Sequence, residues 1–407
     1  MGAGCFPGPY NIVRPKPMNS QGLLIPASLY MLSHSTPSFP PGMPEAIERL
    51  LAFIAQDGCT DAQFEALALE LFALQYAHNA RYRRFCQRRG ATPGRVQRWQ
   101  EVPAVPISAF KETLLTGVPE AQCSHVFTTS GTSNAERKGR HLHPSIVVWD
   151  ASMQRHFAQR FLAPLVTGSD AQRWPMLTLF PSQEELPHSS LARYLSQALA
   201  LWGTSDSRTV VSQEGLDIED FIHMLSRWQE GPAPVLLMGA SFGFVHALDA
   251  LQARSLRFRL PAGSRLLDTG GYKGRSRELP LDAFYDALSS AFGVARADCV
   301  NMYGMTELSS QFYDEGNAVL PSVKHAPHWV RTRVLDPLTG LEVPAGQTGL
   351  LAHHDLASFN AAAAILTEDL GIAVDGHRAF HLLGRAEGSA ARGCSMALQA
   401  FLEASRA

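Results

Sequence analysis

The sequence predicts an α/β protein in which a mostly parallel β-sheet is joined by a small antiparallel β subdomain. Between residues 123 and 305, short apolar runs alternate with patterns of helical period, which is typical of βαβ units. After about residue 320, β-type runs are separated by turn residues, as in antiparallel hairpins. The chain has 407 residues, 45% of them hydrophobic and 18% charged, so it is long enough to bury a large core with more than one subdomain.

The first part of the chain is expected to be irregular and then helical. Residues 1–43 are rich in Pro, Gly and Ser and show little periodicity, which predicts an irregular leader. From Asp61 to about Arg89 the pattern predicts one long amphipathic helix, with an apolar stripe at Phe64, Leu67, Leu71, Leu74 and Tyr76. We therefore interpret residues 44–122 as a helical cap, with a proline-punctuated connector over residues 101–111 that leads into the core.

The predicted α/β core covers residues 123–320. Its expected strands are 124–129, 175–180, 208–212, 234–239, 264–268 and 298–303, and its expected helices are 145–162, 189–202, 216–229, 241–253 and 280–292. Because the carboxyl ends of parallel strands meet at one edge of a sheet, the loops that follow them should form a binding crevice. Residues 321–383 form the predicted β subdomain, and residues 384–407 form a short tail that ends in a helix over 395–403.

Charge and cysteine content exclude several classes of function. Lys and Arg total 35 against 37 Asp and Glu, a net charge of −2 without a basic block, so we expect no nucleic-acid partner. No apolar run is long enough for a membrane span. The six cysteines are scattered, at 5, 59, 86, 123, 299 and 394, which argues against a disulfide framework or a zinc site and fits a reducing cytoplasm.

A hydroxyl-rich loop between Phe127 and Arg140 is the first candidate site. It follows a β-type run and precedes a helical pattern, so we expect a strand–loop–helix connection. Small hydroxylated residues and glycine offer N–H and O–H donors to an anion, and a lysine adds charge, so the candidate phosphate contacts are Thr129, Ser130, Gly131, Thr132 and Lys138. The loop lacks the G-K-[ST] ending of a P-loop. A solvated surface loop is the alternative interpretation.

The run Asn301-Met-Tyr-Gly-Met-Thr-Glu307 follows another predicted strand. Tyr303 could stack on a base, Gly304 allows close approach, and Thr306 and Glu307 supply oxygens, with Glu307 able to hold Mg²⁺. A plain helix N-terminus would account for Thr306 and Glu307 but not for the whole run.

Two further runs lie where crevice loops are expected. The first is Leu267-Asp-Thr-Gly-Gly-Tyr-Lys-Gly274, in which the paired glycines Gly270 and Gly271 let the backbone approach a flat ring. A simple turn is an equal alternative. Leu366-Thr-Glu-Asp-Leu-Gly371 carries Asp369, and Arg385 follows 16 residues later. A carboxylate that accepts two O–H bonds suits a cis-diol such as a ribose.

These runs together resemble the motifs of adenylate-forming enzymes, which activate carboxylic acids with ATP. The resemblance is to their Thr-Ser-Gly-Thr phosphate loop, Tyr-Gly-x-Thr-Glu and Thr-x-Asp-Leu-Gly, and it implies a nucleotide and magnesium role for Tyr303 to Glu307, a ribose contact for Asp369 and a phosphate contact for Arg385. Over about residues 100–405, the chain is similar to the acyl-protein synthetase family of the bacterial bioluminescence fatty-acid reductase system. Asn134, where the superfamily usually has glycine, leaves open a non-catalytic nucleotide-binding descendant.

The resemblance implies an adenylate-forming-type N-terminal domain without a full C-terminal domain, because only 22 residues follow Arg385. The catalytic lysine of that missing domain would need a substitute, for which Lys273, Lys138 and Lys324 are candidates. The implied activity makes an acyl-AMP from a carboxylic, fatty or related, acid with ATP and Mg²⁺. The acyl group then moves to an enzyme cysteine and on to an acyl reductase, acyltransferase or carrier protein.

Cys394 is the candidate acyl acceptor. It lies beside Arg392 and before the predicted terminal helix, where a guanidinium and helix N–H groups would favour the thiolate. The alternative second step is release of the acyl-AMP to an external acceptor, such as coenzyme A, a carrier protein or an amine. Residues 181–190 and 239–246 could line the acyl pocket, and we assign no catalytic role to His188 or His246 within them.

Overall fold

The computed structural model describes residues 39–129, 138–166, 172–272 and 274–406. Its helices are α1 (Met43–Ile54), α2 (Asp61–His78), α3 (Ala80–Arg88), α4 (Ala109–Glu112), α5 (Val147–Phe157), α6 (Ser190–Trp202), α7 (Ile218–Trp228), α8 (Ser241–Ala253), α9 (Leu281–Phe292) and α10 (Gly388–Arg406). Its strands are β1 (Val105–Pro106), β2 (His125–Thr128), β3 (Arg140–His143), β4 (Met176–Leu179), β5 (Arg208–Thr209), β6 (Val211–Ser212), β7 (Gly215–Leu216), β8 (Leu236–Gly239), β9 (Arg265–Asp268), β10 (Cys299–Tyr303), β11 (Phe312–Tyr313), β12 (Val323–His325), β13 (Val330–Leu335), β14 (Thr348–Asp355), β15 (Ala364–Asp375) and β16 (Ala379–Arg385).

A parallel sheet forms the predicted α/β core. Strands β10, β9, β8, β4 and β5 lie side by side in that order, and each neighbouring pair is parallel. Their fully buried apolar runs, such as Met176–Leu179 and Leu236–Gly239, are typical of strands covered on both faces. Helices α7, α8 and α9 pack on one face, and α5 and α6 pack on the other. The predicted parallel architecture is confirmed.

Antiparallel strands continue the same sheet beyond β10. The order runs β10-β11-β12-β16-β15-β14-β13, and all of these pairs are antiparallel. The hairpins predicted after residue 320 are therefore present, and β10 is the strand at which the sheet changes from parallel to antiparallel. The boundaries assigned to the core and the β subdomain stay predictions.

The cap is helical, but the long helix predicted from Asp61 to about Arg89 is interrupted. Asn79 is 1% exposed and has extended backbone angles, and it separates α2 from α3. Its side-chain oxygen accepts from the Tyr82 N–H at 3.1 Å, and its amide donates to the Ala361 carbonyl at 2.9 Å. An asparagine at a helix N-cap satisfies N–H groups that the new helix leaves open, so α3 can begin here. The predicted apolar stripe lies entirely in α2.

Two other connections differ from the prediction. The expected strand–loop–helix at Phe127–Arg140 is a strand–loop–strand, because Arg140–His143 pairs with His125–Thr128 before α5 begins. The strand expected at 208–212 is divided, since β5 pairs with β4 while β6 turns back on β7.

The terminal helix begins at Gly388, seven residues before the predicted start. Gly393 lies inside it, and a Cβ on Gly393 would come within 2.2 Å of the Pro337 carbonyl oxygen. This glycine therefore allows α10 to pack closely on the β13–β14 connection. Of the predicted leader, residues 1–38 lie outside the described residues. Within the described ranges, no helix combines the length and apolar character needed to cross a membrane.

Candidate active site

A cavity of about 720 Å³ opens at the carboxyl ends of the parallel strands, beside the antiparallel strands β15 and β16. Nine of the predicted site residues line it: Thr129, Lys138, Gly270, Gly271, Tyr303, Gly304, Thr306, Asp369 and Arg385. These residues come from five separate parts of the chain, and the fold brings them together. The predicted residues Ser130, Gly131, Thr132 and Lys273 lie outside the described residues. Glu307 and Cys394 do not line the cavity and are considered separately below.

Both ends of the hydroxyl-rich loop are fixed at the mouth of this cavity. The Thr129 N–H donates to the Gly139 carbonyl at 2.9 Å, and the Gly139 N–H donates to the Thr129 hydroxyl oxygen at 2.9 Å. On the other side, the Thr128 N–H donates to the His188 carbonyl at 2.9 Å. These bonds place Thr129 and Lys138 together at the cavity wall, as expected for the two ends of an anion-binding loop.

Tyr303 and Asp369 join the two halves of the site. The Tyr303 hydroxyl donates to Asp369 Oδ2 at 2.7 Å, so the end of β10 is tied to β15. Burial raises the pKa of the Asp369 carboxyl, and the Tyr303 hydrogen bond and the charge of Arg385 act in the opposite direction. Arg385 is the cross-strand partner of Asp369, and its Nη1 lies 3.7 Å from Asp369 Oδ1. Asp369 Oδ1 therefore faces the mostly exposed guanidinium of Arg385 at the cavity wall.

Glu307 is buried behind the cavity wall, with 6% of its surface exposed. Burial raises the pKa of its carboxyl from an ordinary 4.5 to about 7, and a backbone hydrogen bond and the charge of Lys111 oppose this rise. Gly139 lies against Glu307: a Cβ on Gly139 would be 3.0 Å from Thr129 Cγ2, 3.4 Å from Lys111 Cγ and 3.5 Å from Glu307 Oε1. The carboxylate is thus adjacent to the base of the hydroxyl-rich loop.

Lys111 is a candidate that the sequence did not reveal. It lies on α4, in the connector, and its exposed side chain makes no hydrogen bond or ion pair with any residue that the structure describes. The neighbouring Phe110 is buried and meets the His141 ring edge-on, with ring centroids 5.7 Å apart. His141 Nδ1 in turn donates to the Thr306 carbonyl at 2.9 Å. Packing therefore fixes α4 against the Thr306–Glu307 turn, and a lysine in a proline-punctuated connector gave no sequence signal for this.

Lys324 cannot be a free phosphate ligand in this arrangement. It is 3% exposed, and its Nζ donates to Asp314 Oδ2 at 2.8 Å and to the side-chain oxygen of Asn301 at 2.5 Å. One of these partners, Asn301, lines the cavity, whereas Lys324 itself does not. The candidate role of Lys324 as the substitute cation is therefore not supported by its position.

Cys394 does not have the environment predicted for it. It is the seventh residue of α10 rather than the residue before a helix, so helix N-terminal N–H groups are not free around it. Its sulfur is buried against the Thr367 carbonyl, 3.9 Å away. Burial, followed by the charge of Glu368, raises the pKa of the thiol to about 11, and Arg385 only partly opposes this. The prediction of a thiolate-favouring site is wrong for this conformation, whereas the role of Cys394 as acyl acceptor stays a prediction.

The inner part of the cavity is mainly apolar. Trp149, Phe180, Leu191, Tyr194 and Phe242 line it, and they come from α5, the end of β4, α6 and α8. Of the two segments expected to line an acyl pocket, the first supplies His188, Ser189 and Ser190, and the second supplies Phe242. His246 is exposed and outside the lining. An elongated apolar group could enter here beside the polar loops.

The polar end of the cavity could accept a divalent cation only with help from a ligand. Among the described residues, no group of three His, Cys, Asp or Glu side chains is placed to hold a metal. Glu307 is a single carboxylate beside the anion loop. This donor set fits Mg²⁺, which is usually bound by one or two carboxylates together with substrate phosphates.

The sequence matches the family described as "Acyl-protein synthetase, LuxE" over residues 55–402. Two curated relatives are named "Long-chain-fatty-acid--luciferin-component ligase". The one from Vibrio harveyi is 23% identical over 345 residues and covers 81% of this chain and 86% of its own length. The one from Aliivibrio fischeri is 24% identical over 311 residues and covers 76% of this chain and 78% of its own length.

Solved structures of 2-hydroxyisobutyryl-CoA ligase share the fold. The structure in the postadenylation state with 2-HIB-AMP has a TM-score of 0.58 at 16% identity and covers 87% of this chain and 73% of its own. The open conformation with 2-HIB-AMP and CoA has a TM-score of 0.57 at 17% identity and covers 87% of this chain and 81% of its own. At this identity the likeness is one of fold, and it confirms the adenylate-forming-type α/β architecture predicted from the sequence.

The raised pKa of Glu307 predicts a specific pH dependence of stability. The folded protein holds this proton more tightly than the unfolded chain, so the associated stabilisation is complete below pH 4.5 and is lost as pH rises to about 7. In denaturant titrations without nucleotide or metal, wild type should lose roughly 3 kcal/mol of unfolding free energy relative to Glu307→Gln across this interval. Parallel stability curves for the two proteins would show that Glu307 ionises normally.

Proposed function

The chain belongs to the acyl-protein synthetase (LuxE) family, and from that membership and the geometry of the cavity we propose that it activates a carboxylic acid with ATP to give an acyl-AMP and pyrophosphate. It is thus an ATP-dependent carboxylate-activating ligase. The observation that carries the proposal is the convergence of Lys138, Tyr303, Thr306, Asp369 and Arg385 on one cavity that also has an apolar interior.

The polar end of the cavity would hold the nucleotide. Asp369 keeps Oδ1 available for the ribose hydroxyls while Tyr303 binds Oδ2, and a carboxylate has enough lone pairs for both. Gly270 and Gly271 have φ values of 69° and 85°, which glycine adopts without strain, and they let the backbone approach the base. Thr129, Lys138 and Arg385 are placed for the phosphates.

Adenylation would require charge stabilisation more than covalent catalysis. A carboxylate oxygen of the acid attacks the α-phosphorus, the bond from that phosphorus to the bridging oxygen breaks, and pyrophosphate leaves with the electron pair. Negative charge grows on the leaving group, and fixed cations in a partly dry site stabilise it. Mg²⁺, where bound, would neutralise phosphate charge, and Glu307 is our candidate to hold it.

Lys111 is our candidate for the cation that steadies the carboxylate and the leaving phosphate. It contacts Gly139 at the end of the phosphate loop and lies near enough to Glu307 to lower the pKa of that carboxyl. It has no other partner among the described residues that would hold its charge away from a phosphate. Lys138 remains a second candidate from the same loop, and Lys273 remains one from the sequence.

The acid is proposed to be a fatty or related acid. The two curated relatives are named as long-chain-fatty-acid ligases, and the aromatic and aliphatic interior of the cavity supports an apolar chain for this protein too. The downstream partner would be an acyl reductase, acyltransferase or carrier protein. A cytoplasmic location stays the prediction made from the scattered cysteines.

For the second half reaction, we retain transfer of the acyl group to Cys394. The thiolate would attack the acyl carbonyl carbon, and the carbon–oxygen bond to AMP would break to release AMP. Because Cys394 is buried in α10, the start of this helix would have to move away from Thr367 first. The burial and raised pKa of the thiol favour one alternative, an external acceptor such as coenzyme A, a carrier protein or an amine.

Pyrophosphate exchange into ATP, driven by a panel of aliphatic and aromatic acids, tests adenylation. Wild type should exchange with at least one acid, and Lys111→Ala should lower the rate by about 10²-fold, the usual cost of losing one electrostatic stabiliser. Its melting temperature should be unchanged, because the side chain is exposed and makes no hydrogen bond. Arg88→Ala, which removes an exposed cation from the cap, is the control and should behave as wild type. Exchange that does not depend on any acid would contradict adenylation. A wild-type exchange rate in Lys111→Ala would show that Lys111 has no role in adenylation.

Labelling with a radioactive acid, ATP and Mg²⁺ tests the acceptor. Wild type should carry a label that neutral hydroxylamine removes, and Cys394→Ser should lose it while keeping pyrophosphate exchange, because adenylation needs no thiol. Cys123→Ser, a change at a more accessible cysteine, should keep the label. A label that persists in Cys394→Ser, or no thioester in wild type, would make the external-acceptor ligase the correct account.

A further inference from the structure

A polar network lies at and beneath the wall of the nucleotide cavity, which one of its members, Asn301, lines. Asn301 in β10 is paired in register with Asp268 at the end of β9. The Asn301 amide donates to Asp268 Oδ2 at 2.8 Å and to the Asp268 carbonyl at 3.1 Å. The other carboxylate oxygen of Asp268 accepts from the Gly270 N–H at 3.1 Å. Asn301 therefore reaches the Gly270–Gly271 turn through a single carboxylate.

Lys324 determines which way the Asn301 amide points. Its Nζ comes from β12 and donates to the side-chain oxygen of Asn301 at 2.5 Å and to the Asn301 carbonyl at 3.2 Å. With the amide oxygen held by a cation, the NH₂ group must face Asp268. In the opposite orientation the amide oxygen would face a carboxylate, and the Lys324 ammonium would face two donor hydrogens.

The network contains one cation and two carboxylates, and the hydrogen bonds that each carboxylate accepts explain why it can be buried. Lys324 is 3% exposed, and Asp268 and Asp314 are 2% and 1% exposed. Lys324 bonds Asp314 at 2.8 Å, and Asp268 additionally accepts from the Ser241 hydroxyl at 2.8 Å. Buried charges persist in proteins when they are paired and fully hydrogen-bonded. Hydrogen bonds to charged groups in such surroundings are strong and directional, so the network resists rearrangement.

We propose that Lys324 is a positioning residue for the nucleotide: it orients Asn301, which through Asp268 holds the Gly270–Gly271 turn at a fixed distance from Tyr303. Tyr303 ends the same strand two residues after Asn301, so the turn and the tyrosine are two walls of one slot. The slot suits the flat base of a nucleoside triphosphate. This inference rests on the proposed function, and it gives Lys324 a role that differs from phosphate binding.

Titration calorimetry with Mg·ATP tests the positioning role. Asn301→Ala keeps the Lys324–Asp314 pair but removes the link to Asp268, and Lys324→Met removes the orienting cation. Each should raise the Kd for ATP by about tenfold, the scale of one hydrogen bond to a charged group. Lys324→Arg should recover part of the affinity. The KM for the acid should stay at the wild-type value, because the apolar interior does not depend on this turn.

The control is Arg331→Met, which removes another buried cation, 3% exposed, that bonds Asp61 at 3.2 Å and does not line the cavity. A general loss of stability would reduce the fraction of active protein in Asn301→Ala, Lys324→Met and Arg331→Met alike and leave the Kd for ATP unchanged. The inference is wrong if Asn301→Ala binds ATP with wild-type affinity. It is also wrong if Arg331→Met weakens ATP binding as much as Asn301→Ala or Lys324→Met does. Should Lys324→Met not fold, Lys324→Arg decides, because Lys324 does not line the cavity and wild-type ATP affinity in that variant would contradict the positioning role. Wild type that binds ATP but shows no acid-dependent pyrophosphate exchange would instead contradict the proposed function.

Discussion

The hydrogen bond from Tyr303 to Asp369 is the interaction on which the geometry of the site depends. It crosses from the last parallel strand to an antiparallel strand that lies further along the same sheet, and it is short, at 2.7 Å. In the strand order, β11, β12 and β16 separate β10 from β15, so this bond ties together the candidate base-binding and ribose-binding residues of two strands that are not neighbours. Both groups are part-buried at the cavity wall, where electrostatic interactions are stronger than in bulk water.

The change of strand direction at β10 explains why the cavity is there. A parallel sheet presents its loops at one edge, and the strand beyond β10 runs the other way, so the loops after β9 and β10 have open space beside them. Strands β15 and β16 then bring Asp369 and Arg385 into that space as a cross-strand pair. The cap contributes from the other side, where Phe110 and His141 hold Lys111 close to Glu307. Each of the three regions of the chain thus supplies one part of a single polar surface.

The sequence predicted the fold class and the strand-end residues because both depend on local patterns. Tyr303 ends a parallel strand and Gly270 follows another, and residues at the carboxyl ends of parallel strands meet whatever the details of packing. Thr129 follows β2, which pairs antiparallel with β3 outside that sheet. Lys111 was missed because its importance comes from α4 packing on β3, a tertiary contact without a periodic signal. Lys324 was misjudged because a lysine in sequence carries no sign of whether its partner is a phosphate or a buried carboxylate. For Cys394, the sequence predicted a helix that begins just after it, whereas α10 begins at Gly388 and Gly393 within it allows close packing on Pro337.

The most direct measurement of the central claim is hydrogen exchange with and without a stable acyl-AMP mimic, an acyl-sulfamoyl adenosine whose chain matches the best acid. If the cavity binds the acyl-adenylate, amide exchange should slow together at the end of β10, in the Gly270–Gly271 turn and in β15 and β16 around Asp369 and Arg385, since all four border one ligand. The apolar interior near Phe180 and Phe242 should be protected to an extent that grows with acyl chain length. Saturating mimic that leaves these segments unchanged, or protects β10 without β15, would contradict the account.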